Sequence, residues 1–137
     1  MAEEVNVKKG LDGVVVDTTS ISKVNPEINS LVYRGYPVQD LAEKVRFEDV
    51  AYLLWNEDLP TQQQASEFRS QERERRAIDS KVIDTIRLFH KKGHPMDAVR
   101  TAVSLLGAMD SQAWDQSLDE KKERALNLLA KIPTMIA

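Results

Sequence analysis

This chain of 137 residues has no cysteine and only two histidines, His90 and His94. The absence of cysteine excludes disulfides, thiolate catalysis and cysteine-ligated zinc. Two histidines are too few for a histidine-rich metal site. The five glycines are too far apart for the spacings of dinucleotide-binding loops and P-loops. These absences leave few candidate residues for chemistry in this sequence.

Charge and hydropathy patterning exclude further classes of protein. The net charge of −3 gives no electrostatic reason to expect nucleic acid or an anionic membrane as a partner. No apolar run approaches the ~20 residues that cross a bilayer. The opening Met-Ala-Glu-Glu lacks the basic and apolar segments of a secretory signal. We therefore expect a cytoplasmic protein, in which 42% apolar residues form the core of one modest domain.

Residues 11–36 are rich in valine, threonine and serine, and this composition predicts β-structure. Two short strands are predicted at residues 14–16 and 31–33, joined by an irregular turn at Asn25-Pro26 and Asn29. Such a small sheet needs a helix to lie against.

Helices are predicted for residues 38–137, because apolar side chains recur there every three or four residues. The four apolar stripes are Phe47/Val50/Ala51/Leu54/Trp55, Val82/Ile86/Phe89, Val99/Ala102/Val103/Leu106 and Ala125/Leu128/Leu129/Ile132/Ile136. The predicted fold class is mainly α: a helical bundle with a small N-terminal β element.

Helix boundaries are indicated by several local signals. Thr61 is a predicted N-cap, with the glutamines at 62–64 in the first turn. Two lysines and a glycine at 91–93 predict a helix end, and Pro95 suits the first position of the next helix. Residues 131–137 are apolar and carry no glycine or asparagine stop signal, which is typical of a helix cut in the middle. We therefore expect the sequence to be a fragment.

Arg73 is the main candidate binding residue. It lies in residues 69–76, which read Arg-Ser-Gln-Glu-Arg-Glu-Arg-Arg and contain no apolar side chain. A helix this polar is solvated on most sides or faces something charged. The guanidinium of Arg73 offers a fork of donors that suits a dicarboxylate or tricarboxylate. The spacing alone favours the alternative of a solvated face with Glu and Arg three or four residues apart.

The histidines are weaker candidates. His94 could act as a general acid or base, but its place before Pro95 favours a cap or another structural hydrogen bond. No cysteine or serine elbow stands near it to form a triad. His90 precedes two lysines late in a predicted helix and is interpreted as structural.

Several segments together resemble the citrate synthase family, most closely its bacterial 2-methylcitrate synthase branch. The resemblance is carried by Gly10-Leu11 with residues 13–15, the stretch Tyr33-Arg34-Gly35-Tyr36-Pro37-Val38, residues 47–55, and His94-Pro95-Met96-Asp97 with Arg100-Thr101-Ala102. The matches follow the family's order from residue 10 onward. The resemblance implies that residues 1–137 are an N-terminal fragment of the family's large α-helical domain.

The resemblance also implies an activity. The family condenses propionyl-CoA or acetyl-CoA with oxaloacetate, works as a homodimer and needs no metal or cofactor, since the acyl-CoA is a substrate. Its two catalytic histidines and its aspartate lie beyond the matched portion, so no catalytic residue is expected in this chain. Arg73 matches a substrate-contacting arginine of the family's charged helix. Two alternatives stay open: a non-catalytic helical domain acting as an assembly or interaction module, and an adaptor whose residues 69–76 bind an acidic partner.

Overall fold

The structure, a computed structural model, describes Gly10 and residues 13–89, 91–114 and 117–137. The chain divides into two compact units, the first ending at Pro60 and the second beginning at Thr61. The elements of the first unit are β1 (Ser22–Asn25), β2 (Ser30–Tyr33), β3 (Tyr36–Pro37), α1 (Val38–Lys44) and α2 (Phe47–Asn56). Those of the second are α3 (Gln62–Glu74), α4 (Ser80–Arg87), α5 (Pro95–Met109) and α6 (Leu118–Ile136).

The three strands form an antiparallel sheet in the order β1-β2-β3. The turn between β1 and β2 is the predicted one: the side chain of Asn25 accepts the N–H of Glu27 at 3.1 Å, and Asn29 has φ +47°. This turn sets Asn25 opposite Ser30 in the register. The prediction of a strand at 31–33 is confirmed.

The prediction of a strand at residues 14–16 is wrong. These residues belong to no strand, and Val15 and Val16 are 84% and 80% exposed. The turn after Asn25 folds the chain back at once, so β2 pairs with Ser22–Asn25. A segment becomes a strand only if it pairs with another strand, and β-propensity does not specify that partner. The high β-propensity of the three valines is therefore not sufficient.

The first unit buries Leu41 of α1 together with Ala51 and Leu53 of α2. Leu53 is fully buried although it lies off the predicted stripe, whereas Phe47, which begins that stripe, is 68% exposed. Most residues of α2 are apolar, so periodicity does not single out one buried face.

The second unit has its core between α4, α5 and α6. Val82 and Ala102 are fully buried and Met135 is nearly so. Six further apolar side chains pack around them: Ile78, Ile86, Val103, Leu105, Leu106 and Ile132. The stripe predicted for α5 is thereby confirmed in Ala102, Val103 and Leu106.

The predicted start of α3 is confirmed in this unit, and the predicted end of α4 is not. Thr61 and Gln64 form a reciprocal capping box at the start of α3, with N···O distances of 3.3 and 2.9 Å. The end predicted at residues 91–93 is wrong, because α4 already ends at Arg87 and Phe89 lies beyond it. A basic and glycine signal marks where a helix must stop, but a helix can stop earlier when packing does not continue.

The stripe predicted for α6 is only partly right. Its three buried residues, Leu126, Ala130 and Met135, all lie off the predicted stripe. Ile132 of that stripe packs against the core, whereas Ile136, its last member, is 64% exposed. This helix packs against both α3 and α5, so its buried surface is wider than a single stripe. Within the described ranges, no helix is both long and apolar enough to cross a membrane.

Candidate functional site

The candidate site lies at the C-terminal end of α3, where the charged run of residues 69–76 leaves the helix. The last backbone bonds are short-range: the N–H of Arg75 bonds to Glu72 O at 3.1 Å and that of Arg76 to Arg73 O at 3.3 Å. These bonds tighten the final turn after Glu74, the last residue of α3. Three arginines thus stand at one helix end, and they differ in their contacts.

Arg76 is held by Glu72. Its Nε lies 2.9 and 3.1 Å from the two carboxylate oxygens of Glu72, and its Nη2 lies 2.8 Å from Oε2. Glu72 is only 5% exposed, the one buried charged residue among those described. A buried carboxylate needs such a partner, because an unpaired one would lose its solvation without compensation. The charged run is therefore not a uniformly solvated face.

Arg75 links α3 to α6. Its Nη2 lies 2.9 and 3.0 Å from the two carboxylate oxygens of Glu123, and its Nη1 donates to the carbonyl of Gln71 at 3.0 Å. The backbone here receives a second contact from α6, since the Nζ of Lys131 donates to Arg75 O at 2.7 Å and Ala77 O at 2.6 Å. Arg75 is consequently a structural residue.

Arg73 is the exception among the three. Its side chain is exposed, and its one polar contact with the described residues is the bond from Nε to the carbonyl of Arg69, at 3.2 Å. That bond lies along the helix and leaves both terminal nitrogens, Nη1 and Nη2, free of carboxylates in the described part of the chain. The two terminal nitrogens can therefore bind an external carboxylate through two parallel hydrogen bonds.

His94 has the capping role that the sequence favoured. It is the N-cap of α5, and its Nδ1 accepts the N–H of Met96 at 3.2 Å. Pro95 occupies the first helical position as predicted. His90 lies outside the described residues. The described residues contain no group of three histidine, aspartate or glutamate side chains that could hold a metal ion.

A second feature, which the sequence did not predict, is a cavity of about 350 Å³ between α5 and α6. Its lining is mostly apolar with a charged rim, and consists of Val103, Leu106, Gly107, Asp110, Arg124, Asn127, Leu128 and Lys131. The Nε of Arg124 lies 2.9 Å from Asp110 Oδ2. The N–H of Gln112 and the Arg124 guanidinium both lower the pKa of the Asp110 carboxyl, the N–H having the larger effect.

Comparison with known proteins gives a consistent result. Residues 10–137 match a family model described as citrate synthase, C-terminal domain. The chain is 48% identical over 135 residues to a 2-methylcitrate synthase of Mycobacterium tuberculosis, covering 98% of this chain and 34% of that protein. It is 49% identical over 136 residues to a citrate synthase of Mycolicibacterium smegmatis, covering 99% and 36%.

Solved structures agree with this. The crystal structure of citrate synthase from Pyrobaculum aerophilum matches 92% of this chain and 34% of that chain, with a TM-score of 0.81 and 31% sequence identity. The chain thus spans about a third of the length of the relatives it matches.

Proposed function

Because this chain belongs to the citrate synthase family, we propose that it is the N-terminal part of a 2-methylcitrate synthase. The intact enzyme condenses propionyl-CoA or acetyl-CoA with oxaloacetate, an acyltransferase reaction in which the acyl group becomes an alkyl group. The proposal is supported by the 48% identity to a protein of that name. The 49% identity to a citrate synthase keeps acetyl-CoA as the second candidate substrate.

Arg73 is the residue that we assign to substrate binding. The observation that carries this assignment is the contrast within one helix end: carboxylates hold Arg75 and Arg76, whereas no carboxylate of the described residues holds the terminal nitrogens of Arg73. Oxaloacetate carries two carboxylates, and a planar guanidinium binds such a group through two parallel bonds. Arg73 would fix the position of oxaloacetate while other residues perform the chemistry.

The bond-forming groups lie outside this chain in the proposal. His94 caps α5 through its Nδ1, and we assign it no part in proton transfer. The carboxylate base and the two histidines that the family uses would come from the remaining two thirds of the enzyme. Condensation also requires that developing negative charge on the enolate and ketone oxygens meets preplaced donors. The intact enzyme is proposed to be a cytoplasmic homodimer that serves propionate catabolism, with no cofactor.

A hybrid enzyme tests this proposal. Residues 10–137 of this chain would replace the matching portion of the Mycobacterium tuberculosis 2-methylcitrate synthase, with the parent enzyme as the control. We expect release of free CoA from propionyl-CoA in the presence of oxaloacetate, and the ratio of kcat/KM for propionyl-CoA and acetyl-CoA identifies the preferred substrate. The 137-residue chain alone should release none. A folded hybrid without activity would favour the alternative, a non-catalytic assembly or interaction module.

A further inference from the structure

The segment that follows α3 is held in place from another helix. The carbonyls at a helix C-terminus have no partner within the helix and need one from elsewhere. The Nζ of Lys131, on α6, lies 2.7 Å from the carbonyl oxygen of Arg75 and 2.6 Å from that of Ala77. A cation at this position also opposes the partial negative charge of the helix end.

A second contact from the same helix reaches the same place. Glu123 lies on α6 before Lys131 and binds the Arg75 guanidinium at 2.9 and 3.0 Å. Arg75 is therefore fixed by α6 twice, once through its backbone carbonyl and once through its side chain. The ion pair is partly solvated, since the Glu123 side chain is 53% exposed, so its own contribution to stability is modest.

This anchored segment is directly connected to Arg73. Lys131 binds the carbonyl of Arg75, and the next residue, Arg76, donates its N–H to the carbonyl of Arg73. Fraying of the residues after Glu74 would break this bond and free the last turn of α3. Arg73 stands in that turn, and a residue that binds a substrate must keep its geometry to within a fraction of an ångström.

We propose that Lys131 is a positioning residue, which fixes the end of α3 so that the Arg73 guanidinium meets the substrate carboxylate; this inference rests on the function proposed for Arg73. Lys131 itself touches no substrate in this scheme. A lysine suits the position because its ammonium carries three donors on a long stem and can bind two carbonyls together. Methionine has a similar length and no donor, so Lys131→Met removes the anchor with little change in volume.

Hydrogen exchange of the 137-residue chain tests the anchor. In Lys131→Met, amides of residues 73–78 should exchange faster, while those of α2 stay unchanged. Lys122→Met is the matched control, because Lys122 is an exposed lysine on the same helix. Equal exchange at residues 73–78 in both variants would show that Lys131 anchors nothing.

Kinetics of the hybrid enzyme test the positioning. Lys131→Met should raise the KM for oxaloacetate about three- to tenfold, since misplacement of a binding group is costly, and should leave the KM for acyl-CoA unchanged. Lys131→Arg should restore most of the loss, because a guanidinium also donates to carbonyls. In an Arg73→Ala background, Lys131→Met should have no further effect on that KM.

The double variant separates the possible failures. If the two changes multiply, Lys131 acts independently of Arg73 and the inference is wrong while the role of Arg73 stands. If Arg73→Ala alone leaves oxaloacetate turnover unchanged, the proposed role of Arg73 fails and the inference fails with it. A loss in Lys131→Met that Lys131→Arg does not restore would also contradict the inference.

Discussion

Three arginines lie within four positions of each other at the end of α3, and their energetic roles differ. Arg76 neutralises a buried carboxylate, Glu72, so its removal would leave a buried charge unpaired. Arg75 joins two helices through Glu123. Within the part of the chain that the structure describes, the side chain of Arg73 makes its one polar contact along its own helix, from Nε to Arg69 O. A side chain that makes few structural contacts and binds carboxylates well, as that of Arg73 does, is a good candidate for a functional role.

Arg73→Ala should therefore separate function from stability in the hybrid enzyme. Loss of bonds to a charged carboxylate costs about 1.5–3 kcal/mol, which corresponds to a fall in kcat/KM for oxaloacetate of about 10- to 150-fold. Truncating an exposed side chain should change the free energy of unfolding by about 0.5 kcal/mol or less. Initial rates at varied oxaloacetate and urea unfolding measure the two effects.

The choice of control follows from the contacts. Arg75→Ala is unsuitable, because it breaks the link to Glu123. Arg87→Ala is better matched: Arg87 is 74% exposed at the end of α4, and its ion pair among the described residues is with Asp84, three residues earlier on the same helix. If Arg73→Ala and Arg87→Ala have equally small effects on oxaloacetate turnover, Arg73 is a solvated surface residue that does not bind the substrate.

Asp110 allows a prediction of how the stability of the fold changes at low pH. Its folded-state pKa is depressed below the usual value of 3.8, chiefly by the N–H of Gln112 and then by Arg124. The unfolded chain therefore takes up this proton first, so the contribution to stability is present above the unfolded pKa and is lost as pH falls through the folded one. In urea unfolding between pH 6 and pH 3, Asp110→Asn should lose less stability than the unaltered chain.

Arg124→Ala provides the cross-check for Asp110. Removing the guanidinium should bring the folded pKa of Asp110 closer to its usual value and flatten the acid limb in part, because the Gln112 N–H remains. If Asp110→Asn leaves the acid limb as steep as before, other carboxylates determine the acid sensitivity of the fold.

The sequence carries only part of this residue-level information. The capping role of His94 follows from residue type and local spacing, whereas the prediction for Arg73 rests on its fork of donors and on the family resemblance, because spacing alone favours a solvated face. The pairs Arg75–Glu123 and Lys131–Ala77 are 48 and 54 residues apart along the chain. No local pattern indicates such a pair, because it depends on how α6 packs against α3.

At the scale of elements, the hairpin between β2 and β3 is tied to the end of α2. Arg34 and Gly35 both have positive φ, +48° and +91°, as a type I′ turn requires. The Nη2 of Arg34 donates to the carbonyl of Leu54 at 3.1 Å, and its Nη1 lies 3.4 Å from the carboxylate of Glu57. An arginine accepts this backbone strain because its side chain, only 13% exposed, closes the end of a helix.

Two substitutions distinguish the turn from the side chain. Arg34→Ala should destabilise the chain by about 1.5–3 kcal/mol, the range for hydrogen bonds to charged groups. Arg34→Asn also loses the contact to Leu54, but asparagine tolerates positive φ, so it should recover about 1 kcal/mol of that loss. Urea unfolding followed by circular dichroism measures both. An Asn variant no more stable than the Ala variant would mean that the turn stores no strain.

The elements show where sequence patterns suffice. Turn chemistry at Asn25 and Asn29 and the capping box at Thr61 were predictable, because a few neighbouring residues determine them. The face that α2 buries was not, since apolar side chains surround that helix. The three valines at 14–16 have the composition of a strand, but no strand among the residues that the structure describes pairs with them.

At the scale of the whole molecule, many large apolar side chains are exposed. Trp114, Leu88, Val15 and Val16 are between 80% and 90% exposed, and Val24 and Phe47 exceed 65%. Exposed apolar surface on this scale favours association in water. Size-exclusion chromatography with light scattering should show dimers or larger species of the 137-residue chain at micromolar concentration. A monodisperse monomer with a cooperative thermal transition would contradict this and favour a free-standing domain.

The link between Lys131 and the segment after α3 also has a consequence for the order of folding events. Contacts between α4, α5 and α6 join neighbours along the chain, whereas the Lys131–Ala77 bond closes a loop of 54 residues. Closing a long loop is entropically unfavourable until intervening structure shortens it, so this bond should form after the transition state. Lys131→Met should then accelerate unfolding while leaving the refolding rate nearly unchanged. The end of α3 would be the last part of this unit to become fixed and the first to come loose.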